Sequence, residues 1–565
     1  MKQKKSLFII LIAVVIIVIY FLLQSKQEKA NMLLINGIIY TLDAKNTITQ
    51  AIAIRENTIV GVGSNDDITK SFSSDTVIDL QGKTVFPGLI DGHCHILGEG
   101  GRLQTIDLVG TTSPEQIADL VSKRVEESKP EQWIIGRGWD QNDWSVKEFP
   151  DHTILDKVAP YNPVLLRRVD GHAIWINQKA LQIAGINSGI PEPNGGKILK
   201  DKKGNPTGVF VDNAMDLIDK VVPSLSDEEV EQRLKIALEE CARLGLTEVH
   251  DMGVDLQTIR AYKRLIDRGE CPIRVYAAIG DLGETWKHFL QSGTENGYGN
   301  GMLTIRSVKL YVDGALGSRG AALIDEYSDD PGNRGLTIMS ESQMDSICQQ
   351  ALEKGFQVCT HAIGDRGNHI TLNVYERVLR NLSKEKPTPR WRIEHAQVLQ
   401  PTDIIRFKQL DVLPSMQPTH ATSDMYWAET RLGPERVKGA YAWRSILKTG
   451  VQIISGSDFP VEYVNPLFGI YAAITRKDRE GNPPEGWYSD QNMTRNEAVR
   501  SFTEWAAYGA FEESKKGTIE IGKWADLTIL SKDIMKISPI EILNTDVKMI
   551  LVNGKIVSQK GGINQ

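Results

Sequence analysis

Short apolar segments recur along this chain with amphipathic stretches between them, and that alternation restricts the fold more than any other feature. They occupy residues 85–95, 246–250, 273–277, 307–312, 356–361, 391–395, 412–416 and 451–456. Each has the length of a buried strand. Residues 228–244 (EEVEQRLKIALEECARL) carry apolar side chains at helical spacing and stop at Gly245, a common residue at a helix C-terminus. Eight strands alternating with helices predict an α/β fold, a (β/α)8 TIM-type barrel. Residues 98–225 are too long for one strand-to-helix connection. They are expected to form an insertion that helps to cover the active-site mouth. Strands at 133–136 and 163–167 belong to it, although one of them could instead enter the barrel.

The chain ends read differently. Residues 32–83 alternate in short strand patterns, with Asn36-Gly37 as a hairpin signal. Residues 525–530 and 549–557 repeat the style, and Leu551-Val552-Asn553-Gly554 parallels Leu34-Ile35-Asn36-Gly37. Both ends are therefore expected to build one small β-sandwich from residues 31–84 and 509–565, leaving 85–508 for the barrel and its insertion. Ahead of it, residues 7–23 are all apolar, about 25 Å as a helix and at the short end for a membrane span. Lys2, Lys4 and Lys5 precede them, which predicts a cytoplasmic N-terminus. No small-residue cleavage site follows. Residues 1–30 are thus expected to be a cytoplasmic tail and transmembrane helix, making a single-pass membrane protein with an extracytoplasmic catalytic domain.

Net charge is −7, from 65 Lys and Arg against 72 Asp and Glu, with the signs interspersed. No basic stripe with interleaved aromatics appears, which argues against a nucleic-acid partner. The five cysteines (94, 241, 271, 348 and 359) are odd in number and lack paired spacing, so they do not form a disulfide framework.

Chemistry gathers at the predicted strand ends, where barrel enzymes place it. His93 and His95 sit at i and i+2, so a strand projects both from one face, and two neutral imidazoles make half of a zinc site. Lys309, His361, His395 and Asp458 end four further strands. Each alone has an ordinary reading: a hydrogen-bonded structural histidine, a salt-bridge lysine, a helix-capping aspartate. Six candidates at five strand ends are a joint signal.

Several longer stretches carry a resemblance: residues 87–95 (PGLIDGHCH), 308–320 (VKLYVDGALGSRG), 361–365 (HAIGD), 392–397 (RIEHAQ), 417–424 (QPTHATSD) and 456–461 (GSDFPV). In this order they resemble the amidohydrolase superfamily, specifically the amidohydrolase family 3 branch that includes N-substituted formamide deformylases. The resemblance implies a metal-dependent hydrolase of non-peptide C–N bonds, with N-formyl or N-acyl amines as substrates. It works by attack of a metal-activated hydroxide. Cyclic amides or N-acyl amino acids are the alternative substrates, and a non-catalytic exported binding or regulatory protein on the same scaffold is the alternative role. It implies two divalent metals, usually Zn2+. His93, His95 and Asp458 would hold one and His361 and His395 the other, with Lys309 carboxylated by CO2 to a bridging carbamate. Asp458 would also move the proton. A homodimer is implied by the resemblance alone.

His172, Arg319 and His420 are secondary candidates for substrate contact, each with an equally ordinary structural reading. His250 and Asp251 end the second strand and could support a ligand. Trp139, Trp144, Trp427 and Trp443 could wall a pocket or simply pack.

Overall fold

The computed structural model of the protein describes residues 27–561 except 170, 172, 194–195 and 381–387. The chain divides into two compact units: Leu97–Ala237 forms one, and the segments on either side of it form the other.

In the larger unit eight parallel strands pair in sequence order. They are β1 (Leu89–Cys94), β2 (Leu246–Val254), β3 (Arg274–Ile279), β4 (Leu303–Tyr311), β5 (Gln357–Ala362), β6 (Arg392–His395), β7 (Leu413–Met416) and β8 (Ile454–Ser455). Two hydrogen bonds just beyond β8 draw the ends together. The Asp458 N–H donates to the His93 carbonyl at 2.7 Å, and the His95 N–H donates to the Phe459 carbonyl at 2.9 Å. The barrel is nearly closed, and the closing bonds run through candidate site residues. The intervening helices follow from local sequence. Leu256–Asp267 starts at Asp255, whose side chain accepts from the Thr258 N–H, and buries Ile259, Tyr262 and Leu265 along one stripe. Glu341–Lys354 starts with a Ser340–Gln343 capping box and stops at left-handed Gly355.

The predicted strand at 85–95 is two strands. Thr84–Pro87 belongs to a sheet outside the barrel, and only Leu89–Cys94 enters it. Gly88 makes the division: a Cβ there would lie 2.1 Å from Thr247 Oγ1 on β2, so a side chain would push the two strands apart. β8 keeps only two of the residues predicted for it.

At the seam between β1 and β8, a Cβ on Gly456 would lie 2.4 Å from the His93 backbone nitrogen. Gly456→Ala is therefore expected to destabilise the barrel by about 1–3 kcal/mol, the usual cost of overpacking. The urea midpoint of the variant measures it, and an unchanged midpoint would show that the seam yields.

Two further sheets combine both chain ends. One orders Thr58–Gly63, Ala51–Arg55, Met32–Ile35 and Val77–Asp79. The other orders Lys555–Gln559, Val547–Val552, Leu527–Leu530, Thr84–Pro87, Ile38–Tyr40 and Ile48–Thr49. They share a core that includes Leu34, Ile52, Ile78, Val85, Leu527, Ile529 and Leu551. The hairpin expected at Asn36-Gly37 does not form. Its flanking strands enter different sheets, so the turn hands the chain from one sheet to the other. Asn553-Gly554 does join an antiparallel pair.

In the unit Leu97–Ala237, the strands at Ile134–Trp139 and Val164–Arg168 lie in a separate six-stranded sheet and not in the barrel. Trp139 and Trp144 pack against Trp175 in that unit's own core.

The expected single-pass anchor, and the extracytoplasmic placement built on it, must be corrected. Among the described residues no helix is long and apolar enough to cross a membrane. The longest, Asp227–Arg243, has 17 residues and a charged face, whereas a span needs about 20 apolar residues. Residues 7–23 lie outside the described residues.

Candidate metal centre

The C-terminal ends of the barrel strands bring His93, His95, Lys309, His361, His395, Asp458 and His420 together. The His95 Nε2 lies 3.2 Å from Asp458 Oδ1, and the His93 Nε2 lies 3.5 Å from the same oxygen. The Lys309 Nζ is 3.3 Å from the His93 Nε2. The His395 ring sits 4.8 Å from that of His93 and 4.6 Å from that of His361. His420 lies parallel to His395 at 5.9 Å, with its Nε2 3.6 Å from Asp458 Oδ2. Two residues that carry this cluster have left-handed backbones, His395 at φ 71° and Asp458 at φ 62°. Such conformations cost about 1–3 kcal/mol each in non-glycine residues and persist where the surrounding structure enforces them.

Burial sets the electrostatics. His93 and Lys309 are almost completely enclosed. The pKa of His93 falls to about 4, mainly because burial penalises its charged form and secondarily because Lys309 is near. His361 falls to about 3 for the same two reasons. His395 lies well below the usual range, by burial and then by proximity to His361 and His93. For Asp458, burial acts upward, but the His95 hydrogen bond and the surrounding imidazoles hold it well below the usual carboxylate range. Burial also lowers Lys309, which favours its neutral amine.

This set fits a divalent cation. His93, His395 and Asp458 each offer a ligand atom, and the three atoms lie within 4.8 Å of one another. The Nε2 atoms of His361 and His420 are buried without a hydrogen-bond partner, a costly arrangement unless something else satisfies them. Imidazole nitrogen with carboxylate oxygen is the usual zinc donor chemistry.

Supporting residues surround the cluster, and sequence reasoning missed three of them. Glu394 Oε2 accepts from the His93 Nδ1 at 2.6 Å, and Gln417 Oε1 accepts from the His395 Nδ1 at 2.7 Å. Arg392 ion-pairs with Glu394. A signal was present: Arg392 and Glu394 are charges at i and i+2 in an apolar strand, so they share one face and need partners inside. Arg319 stands apart, its guanidinium paired with Asp329 of its own loop at 2.9 Å. His172 lies outside the described residues. Trp443 is buried beneath the Arg476 guanidinium.

The amidohydrolase family profile matches residues 76–558, and the chain belongs to that family. It is 33% identical over 535 residues to the Bacillus subtilis (strain 168) protein named amidohydrolase YtcJ, covering 93% of this chain and 98% of that one. It is 26% identical over 559 residues to an N-substituted formamide deformylase of Arthrobacter pascens, covering 94% and 99% respectively. Among solved structures, an uncharacterized metal-dependent hydrolase from Pyrococcus horikoshii OT3 superimposes with a TM-score of 0.74 at 28% identity, covering 90% of this chain and 99% of that one.

Proposed function

We propose that this metal-dependent hydrolase cleaves non-peptide C–N bonds of small amides, with N-formyl and N-acyl amines as the substrate class. The observation that carries the reading is the convergence of His93, His395 and Asp458 within ligand distance, with His95, Lys309 and His361 around them. The full-length similarity to an N-substituted formamide deformylase supports the choice of amides.

Two zinc ions suit the donors. His93, His95 and Asp458 would hold one, and His361 and His395 the other. Lys309 would bridge them as a carbamate: the neutral amine adds to CO2, forming an N–C bond and releasing one proton. An ammonium cannot ligate a cation, whereas a carbamate offers two anionic oxygens. When bound, such ions lower the pKa of a coordinated water and polarise a carbonyl. Asp458, ionised and beside His95 and His420, accepts the proton of the attacking water and passes it to the leaving nitrogen. His420, with its unpartnered Nε2, would steady the developing oxyanion.

The test is amine release from N-benzylformamide by the zinc-loaded full chain, with Asp458→Asn as the control. Release that vanishes in the variant supports the reading. A zinc-loaded protein inert on formyl and acyl amines alike would remove amides as the substrate class.

The lowered imidazoles make a second prediction. Metal binding requires deprotonated ligands, and His93 and His361 remain neutral down to about 4 and about 3. The zinc held by His361 and His395, both lowered by burial, is therefore expected to remain after dialysis at about pH 5.5, read as at least one zinc per chain, although an ordinary imidazole would be mostly protonated at that value. Loss of all zinc through about pH 6.5 would contradict the burial argument.

A further inference from the structure

Inside the barrel a row of buried polar side chains leads away from the metal centre. The His93 Nδ1 meets Glu394 Oε2 at 2.6 Å. Arg392, fully buried on β6, donates to Glu394 Oε2 at 3.0 Å, to the Gly92 carbonyl of β1 at 2.6 Å and to Ser415 Oγ of β7 at 2.8 Å. Its Nη1 donates to the His250 Nδ1 of β2 at 3.0 Å. A β6 side chain reaches β1 and β2 only through the barrel lumen. The His250 Nε2 then meets Glu248 Oε1 at 3.2 Å. Glu248, at the N-terminal end of β2, pairs with buried Lys516, which also pairs with Glu512.

The proton positions in this row are fixed by elementary chemistry. Arginine can only donate. The His250 Nδ1 must therefore accept, so its Nε2 carries the hydrogen and donates to Glu248. At the other end, the Glu394 carboxylate can only accept, so the His93 Nδ1 carries its hydrogen. The His93 Nε2 is left with a lone pair, facing Lys309 and Asp458. Lys516, Glu248, His250, Arg392, Glu394 and His93 thus alternate as donors and acceptors, and reversing one link frustrates its neighbours.

The geometry points to Glu248 and Lys516 as positioning residues for the metal centre, acting from the opposite end of the barrel through His250, Arg392 and Glu394 on the tautomer and orientation of His93. This inference rests on the metal-centre reading above. Neither residue touches the centre, and no step of the proposed reaction uses them.

The test compares zinc affinity, by competition with a chromophoric chelator, and the cobalt(II) absorption spectrum in the full chain. The principal variant is Glu248→Met with Lys516→Met and Glu512→Gln, which removes the acceptor of the His250 Nε2 hydrogen and leaves neither Lys516 nor Glu512 as an unpaired charge. Its zinc Kd is expected to rise about 10-fold or more, the usual range for the loss of support behind a ligand, with a shifted cobalt spectrum. Lys516→Arg, which keeps the donor, should retain both. Glu497→Ala breaks the Arg444–Glu497 pair, remote from the row. It serves as the stability control, lowering the urea midpoint without moving the zinc Kd. If that variant does not fold, Glu248→Met alone is measured, in which Lys516 keeps Glu512 as its partner, and a weaker Kd is again expected. A wild-type Kd in a folded Glu248 variant overturns the inference while leaving the metal centre intact. A wild-type protein that binds no zinc overturns the metal-centre reading itself.

Discussion

Asp458→Asn is expected to cut turnover by about 10²- to 10⁴-fold, the range associated with a positioned acid–base group, while zinc remains bound. The carboxylate lies between His95 and His420, 3.2 Å from one and 3.6 Å from the other. The groups around it keep it ionised despite burial. Asparagine preserves the shape and a ligating oxygen but cannot take a proton. The loss should therefore fall on kcat, with metal content measured on the same sample. Full turnover in a zinc-loaded Asp458→Asn enzyme would assign proton transfer elsewhere, with His420 next in line.

Lys309→Ala should act one step earlier, on the metal itself. Lys309 is buried, within 3.3 Å of the His93 Nε2, and its amine has no counter-ion within salt-bridge range among the described residues. Removing it takes away the proposed bridge, and metal affinity is expected to fall by about 10- to 100-fold or more. Most metal should be absent from the purified variant. A short carboxylic acid added to the buffer should restore part of it by supplying the missing oxygens. An alanine variant with its full metal complement and full activity would rule out the carbamate.

The convergence of the candidate side chains was legible in the sequence because barrels put chemistry at strand ends. His93, His95, Lys309, His361, His395 and Asp458 were each found by locating the end of an apolar run. The partners of these residues were not legible, for reasons of distance. Glu394 lies 301 residues from His93 and Arg392 lies 142 from His250, and no local pattern reports such pairings. Arg319 is the opposite case. It sits in a glycine-rich loop near the site, but Asp329, ten residues on, satisfies it. The two Asn-Gly turns show the same limit in the fold. Both residues of each share one local chemistry, yet Asn553-Gly554 makes a hairpin and Asn36-Gly37 a crossing between sheets. The difference lies in which strands are available to pair, which a dipeptide does not encode.

The pairing of Thr84–Pro87 with Leu527–Leu530 has a consequence for the order in which the molecule is assembled on the ribosome. At typical synthesis rates of about 5–20 residues per second, the earlier strand waits roughly 20–90 s for its partner. During that time the apolar faces of the N-terminal strands meet only half of the second sheet, whose strands at Leu527–Leu530, Val547–Val552 and Lys555–Gln559 are still to come. They are the part of the nascent polypeptide most in need of a chaperone, and a stop codon anywhere before the last strands would strand them permanently.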